Sequence, residues 1–213
     1  IGVVAASGTG LQEISCQIHR LGEGVSHAIG TGGRDLYAEI GGITMRQGLR
    51  LLAADPGTEA IVIAAKPPAP LVAQAVLDEA SRIGKPVVVL FLGDQHTDQH
   101  TAVRPGMHRV STLYEAAQAA VELAAGRSPA APARPGPDAR AGALAAMLAP
   151  GQRYLRGLYS GGTYCTEAQL ILRAAGIPVW SNVPLDNSRS LDDPRKSREH
   201  TVVDLGSDEF TVG

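Results

Sequence analysis

Two short stretches place hydroxyl residues and glycines where an apolar run gives way to a helical pattern: Ser7, Gly8 and Thr9, and Ser160, Gly161, Gly162 and Thr163. A helix start carries unpaired backbone N–H groups and the positive end of the helix dipole, so either turn suits a phosphate. The same residues also suit a plain turn, with Thr as the N-cap and the glycines easing the bend. Lys66 leaves an apolar run at the edge where open α/β sheets bind ligands, beside the Ser7–Thr9 turn. Pro67 and Pro68 stiffen the chain after it. Lys66 is the catalytic candidate; the alternative is a solvated strand-end lysine. Gly32 and Gly33 lie in the Gly30–Gly42 loop with Arg34, Asp35 and Glu39. Their freedom lets backbone N–H groups approach an anion closely, although a surface connection would use the same residues.

The repeat DQHTDQHT (Asp94–Thr101) spaces His96 and His100 four apart, with Asp94 and Asp98 beside them. Imidazole and carboxylate suit zinc or manganese, yet four-apart residues face one way only on a helix, and Gly93 and Pro105 point to a loop. No metal site is expected. His27 and His200 are expected on or before strands as structural groups, and Trp180 and Asp186–Glu199 in an exposed loop.

Apolar runs alternate with amphipathic stretches, the pattern of a parallel sheet with helices on both faces. Strands are predicted at Ile1–Ala6, Val25–Ile29, Ala60–Ala65 and Pro86–Leu92, with a short fifth near Arg109–Ser111. Their continuous apolar character predicts burial on both faces. Helices are predicted at Leu11–Leu21, Ile43–Ala54, Leu71–Ile83 and Leu113–Ala125. This is a flavodoxin-like α/β sheet over residues 1–126. Residues 127–150 read as a Pro/Ala/Gly linker, and residues 151–213 as the start of a second copy, with a strand at Tyr154–Tyr159 and a helix at Cys165–Ala175. Gly8, Thr9, Glu13 and Gly22 match Gly162, Thr163, Glu167 and Gly176, since 162 minus 8, 163 minus 9, 167 minus 13 and 176 minus 22 all give 154. A looser echo joins His27, Gly32 and Asp35 to His200, Gly206 and Glu209, with an insertion expected in Ser181–Glu199. The second copy is expected to be partial, with an open sheet edge, and both chain ends are expected to be fragment boundaries.

The net charge of −2 gives no field that favours nucleic acid or an anionic membrane. No apolar run approaches a membrane span, and the first ten residues do not read as a signal peptide. A cytoplasmic chain is expected, and Cys16 and Cys165 are expected to form no disulfide.

VVAASGTGLQE (Val3–Glu13), GTGGRD (Gly30–Asp35) and DPGTEAIVI (Asp55–Ile63) resemble the ligase domain of succinyl-CoA synthetase α subunits. GLYSGGTYCTEAQLIL (Gly157–Leu172) is similar to the corresponding β-subunit domain. Both in one chain, with AAKPPAP (Ala64–Pro70) and DLGSDEFTVG (Asp204–Gly213), resemble the FdrA family of acyl-CoA-synthetase-like proteins. The resemblance implies an ADP-forming acid–thiol ligase that uses CoA and ATP, with a phosphate held between two helix N-termini. It implies oligomers or partner subunits, and a CoA-binding domain that precedes this region. It also implies a phosphohistidine in a small-residue loop after the fourth strand. Here that loop reads GDQHTDQHTAVRPGMHR (Gly93–Arg109), with His96, His100 and His108 but without the small-residue frame. The family's carboxylate that orients the histidine aligns with Lys66. A cation there would bind a phosphate directly. Two further readings follow: a carbamoyltransferase subunit that binds carbamoyl phosphate, and a non-catalytic assembly subunit.

Overall fold

The computed structural model describes residues 1–94, 105–129 and 139–212. The chain divides into two compact units, Ile1–Pro129 and Ala130–Gly213.

In the first unit the elements run β1 (Gly2–Ala5), α1 (Gly8–Arg20), β2 (His27–Gly30), α2 (Ile43–Ala54), β3 (Ile61–Ala65), α3 (Pro70–Ala80), β4 (Val87–Phe91), β5 (Met107–Arg109) and α4 (Leu113–Ala124). Every strand pair is parallel and the order is β2-β1-β3-β4-β5. That is the flavodoxin-like order, with its switch point between β1 and β3. Val4, Ile61, Ile63, Val87 and Val89 pack under α2 and α3 against Met45, Leu49 and Val76. Helices α1 and α4 pack against each other. Each fully buried aliphatic side chain contributes about 1.5–3 kcal/mol. Gly48 lets α2 lie close to β1, because a Cβ there would stand 2.9 Å from Val4 Cγ2.

Strands β1, β3 and β4 are buried throughout, as their apolar runs require. Strand β2 departs from that expectation: its four residues are mostly exposed, because it is an edge strand. The fifth strand lies at Met107–Arg109, two residues before its predicted place. Helix α1 begins at Gly8 rather than Leu11. Ser7, not Thr9, is its cap: the Ser7 hydroxyl accepts from Gly10 N at 3.0 Å. Capping outweighs the poor helix propensity of Gly8 and Gly10.

The second unit contains α5 (Ala139–Ala146), β6 (Arg156–Tyr159), α6 (Gly162–Ala174), β7 (Trp180–Ser181), a 3-10 turn at Asn187–Arg189, β8 (Thr201–Asp204) and α7 (Asp208–Thr211). Helix α5 lies in the stretch read as linker, where a run of alanines favours helix. The sheet is parallel, in the order β6-β8-β7. Strand β6 and helix α6 stand 154 residues after β1 and α1 at both ends (156 minus 2, 159 minus 5, 162 minus 8, 174 minus 20). Strand β8 pairs with β6 as β2 pairs with β1, at an offset of 174 (201 minus 27, 204 minus 30). The hydrogen bond from Leu205 N to Tyr159 O repeats that from Thr31 N to Ala5 O. On this register Gly32 and Asp35 correspond to Gly206 and Glu209, while His27 corresponds to Thr201 rather than to His200.

The extra residues hold β7 at Trp180–Ser181 and then, over Asp186–Glu199, the largely exposed loop expected. The Arg198 guanidinium lies 3.9 Å from the Trp180 ring centroid, and the indole N–H donates to Glu199 at 3.2 Å. Gln169 of α6 donates to Val183 O at 3.0 Å and accepts from Leu185 N at 3.1 Å.

Candidate functional site

Parallel strands bring their carboxyl ends to one edge, and in the first unit this edge gathers most of the predicted residues. Ala5 pairs with Ala64, and Ala6 N donates to Ala64 O at 3.0 Å, so Ser7 and Lys66 leave neighbouring strands at the same level. Gly8 is exposed, and Ser7 and Thr9 are half-buried. Helix α1 spends the N–H of Gly10 on its cap, while those of Gly8 and Thr9 point out of the first turn without an intrahelical acceptor. Lys66 is exposed and has no ion-pair or hydrogen-bond partner among the described residues. On the neighbouring strands, by contrast, Arg109 meets the Asp94 carboxylate at 3.1 Å. Among the described residues this edge therefore carries a cation with a carboxylate partner, Arg109, and one without, Lys66.

Gly32 and Gly33 continue β2 at the same edge, exposed, and Gly32 has φ +85°, which favours glycine. Thr31, which sequence reasoning passed over, donates its backbone N–H to Ala5 O at 2.9 Å, and its hydroxyl oxygen is sealed from solvent without a partner among the described residues. Asp35 belongs to the fold rather than to an anion site. Its buried carboxylate accepts from Thr44 N at 2.9 Å and Met45 N at 2.8 Å, and so caps α2, whose own N-cap position is Gly42. A carboxylate at that place satisfies both the free N–H groups and the dipole. Arg34 and Glu39 are exposed.

In the second unit the corresponding edge has a different character. Gly161 occupies the N-cap of α6 and offers no side-chain cap, and Thr163 is buried inside the first turn instead of capping it. Ser160 is exposed and Gly162 half-buried. Gly206 closes against this turn: a Cβ on it would lie 3.0 Å from Ser160 O and 3.1 Å from Gly161 Cα. The same point lies 3.1 Å from Asp204 Oδ1, which accepts from Gly206 N at 2.8 Å. Asp204 is buried and replaces Gly30 of the first unit. Asn182 binds its backbone on both sides, donating to Asp204 O and accepting from Asp204 N, each at 2.9 Å. Asn182 went unnoticed in the sequence, and Asp204 and Gly206 entered only through the repeat echo and the family resemblance, although the carboxylate at the end of an apolar TVVD run was a usable signal.

The other candidates lie apart from these edges or outside the description. His96, His100 and Asp98 lie outside the described residues, and His108 is half-buried in β5. His27 begins β2, with Nδ1 3.4 Å from Asp55 Oδ2. The Thr58 hydroxyl donates to Asp55 at 2.6 Å and Gly57 N donates at 3.1 Å. Those bonds hold the Asp55 carboxyl below its usual range. The DPGT motif is thus a tie at the amino end of the strands, away from Lys66. His200 accepts at Nδ1 from Leu155 N at 3.1 Å and packs edge-on to Tyr154. Cys16 is exposed and Cys165 buried, and neither is in a disulfide. Among the described residues no helix is long and apolar enough to cross a membrane.

Residues 1–93 match the family model described as CoA binding domain. The chain is 41% identical over 215 residues to the uncharacterized protein YahF of Escherichia coli (strain K12), an alignment that takes in 100% of this chain and 41% of that protein. The chain thus spans about two fifths of the length of this curated relative. These similarities support a CoA-binding, succinyl-CoA-synthetase-like kinship without singling out the FdrA family. The match to the CoA binding domain model falls on the first unit, where the sequence led us to expect a ligase-type domain with CoA held elsewhere.

Proposed function

From the CoA-binding match over residues 1–93 and the edge that those residues build, we propose that the first unit binds the phosphate of a CoA or acyl-phosphate substrate at Ser7, Gly8, Thr9 and Lys66. The whole protein then works as an acyl-CoA-synthetase-like enzyme of the succinyl-CoA ligase type. In that chemistry ATP converts a carboxylate to an acyl phosphate, and the CoA thiolate attacks the acyl carbon and releases inorganic phosphate. Lys66, without a carboxylate partner among the described residues, carries the proposal: it supplies positive charge where phosphate charge develops, next to the N–H groups of the helix start. Gly32 and Gly33 give a third strand end close backbone approach.

The same observation favours a second reading, a carbamoyltransferase-type subunit. There a pre-formed carbamoyl phosphate binds, and Lys66 stabilises the leaving phosphate without a phosphohistidine. In both readings the second helix start, Ser160 to Thr163, is a further phosphate-binding turn. Titration calorimetry with CoA, phosphate and carbamoyl phosphate tests this directly. Lys66→Ala should weaken binding of the anion about tenfold, the usual scale of one charge-assisted contact. Unchanged affinity for all three would remove Lys66 from the site. Absence of binding by folded wild-type chain would leave the assembly role.

A further inference from the structure

Strand β6 lacks a neighbour that its counterpart has. In the first unit β1 lies between β2 and β3, with Gly2 N donating to Ala60 O at 2.9 Å and Ala6 N donating to Ala64 O at 3.0 Å. Strand β6 has the equivalent of β2, namely β8, but among the described residues nothing pairs with its other side. Leu205 N donates to Tyr159 O and Thr201 N to Leu155 O, so odd-numbered positions face β8. The N–H groups of Arg156, Leu158 and Ser160 therefore point to the open side, as those of Gly2, Val4 and Ala6 point to β3. The side chains tell the same story. Val4 is fully buried, while Leu158, at the same repeat position, is 71% exposed. Helix α1 buries Gly10, Ile14 and Ile18, whereas their counterparts Tyr164, Ala168 and Leu172 are only half-buried. A groove of about 480 Å³ lined by Leu148, Tyr154, Leu155 and Arg156 lies at the amino end of the same strand.

We infer that the free edge of β6 is a docking site for one more parallel, apolar β-strand with its following helix, the counterpart of β3 and α3. It is supplied by protein of the kind that the longer relative carries outside the aligned stretch. Two observations select this occupant. The repeat register prescribes a parallel strand on this side, opposite residues 156–159, at the level that β3 takes beside β1. The aligned stretch accounts for only 41% of the relative, which therefore has further chain to provide it. A second copy of this chain would bring its own β6 edge by a twofold axis, which pairs strands antiparallel and leaves the half-buried face of α6 uncovered.

Hydrogen exchange on the 213-residue chain tests the inference, with the portion of the Escherichia coli relative outside the aligned stretch as probe, added separately and also tethered by a flexible linker. The amides of Arg156, Leu158 and Ser160 should exchange quickly in the chain alone and slow at least 100-fold with the probe, while β1 amides stay unchanged. Leu158→Asp should remove that gain and leave the thermal melt of the chain alone unaltered. Fast exchange that persists with the tethered probe overturns the proposal. So does protection that grows with chain concentration alone, the sign of self-pairing. CoA or phosphate binding by the first unit is read separately, so failure here leaves the proposed function standing.

Discussion

Helices α1 and α6 begin with related residues at equivalent positions, yet their surroundings are opposite in kind. Beside α1 stand Gly30, Gly32 and Lys66, which has no carboxylate partner among the described residues; beside α6 stand a buried Asp204 and a Gly206 packed on the turn. Ser7 caps one helix, and Gly161 leaves the other without a side-chain cap. The strands before them differ as much, since β1 is central and buried and β6 is an edge. The lesson is that a strand–turn–helix signature sets where a helix starts, whereas the ends of the neighbouring strands set what can bind there.

The sharpest contrast comes from placing one charge at the same repeat position in both units. Val4→Asp should cost more than about 4 kcal/mol and unfold the first unit, because an unpaired carboxylate cannot be solvated there. Leu158→Asp should change stability by less than about 0.5 kcal/mol. Equal effects in denaturant titrations would mean that β6 is covered after all.

Gly206→Ala should cost about 1–3 kcal/mol, since the new methyl must displace backbone at Ser160 and Gly161. Gly8→Ala, at the start of α1 with open space around its Cβ position, should be neutral or slightly stabilising. A tolerated Gly206→Ala would show that the second turn is looser than its contacts indicate. Next in size, Ser7→Ala should remove about 1 kcal/mol through the lost cap. Its thermal midpoint can be compared with that of Thr9→Ala, which leaves the cap in place.

The smallest effect concerns a tie present in the first unit, where Glu79 of α3 binds Arg50 of α2 through two bonds of 2.7 and 2.8 Å and Arg46 at 3.3 Å. The Arg50 hydrogen bond is the main cause that lowers the Glu79 carboxyl to about 2, against desolvation, which raises it. A carboxyl depressed on folding stabilises the folded state above its unfolded pKa, and that stability fades as pH falls toward the folded value. Glu79→Gln should therefore cost about 1 kcal/mol at neutral pH, and the difference from wild type should close between roughly pH 4.5 and 2. A gap that persists at low pH would assign the effect to packing.

Much of the first unit was legible because local signals agreed. The apolar runs of β1, β3 and β4 and the helical spacing of α2 leave one secondary structure each, and α2 falls at its predicted Ile43–Ala54. The site was less legible. Ser7 and Lys66 were visible as residues at strand ends, but Asp35 looked like a loop carboxylate until α2 folded back to offer Thr44 and Met45 N–H groups to it. Trp180 looked exposed because the arginines that cover it, Arg189 and Arg198, are set by the path of the chain around β7 and β8.

By itself the sequence determined the order of strands and helices in the first unit, the repeat offset of 154 between the two turns, and the cation that follows β3. Those are local properties: periodicity, capping and residue type act within a few positions. Only the tertiary structure decided that β8 rather than β7 is the partner of β6, that Asp204 stands where the first unit has Gly30, and that Lys66 is left without a carboxylate among the described residues. Pairing, burial and charge compensation depend on groups far apart in the chain. Which of them meet is settled by the free energy of packing the whole unit.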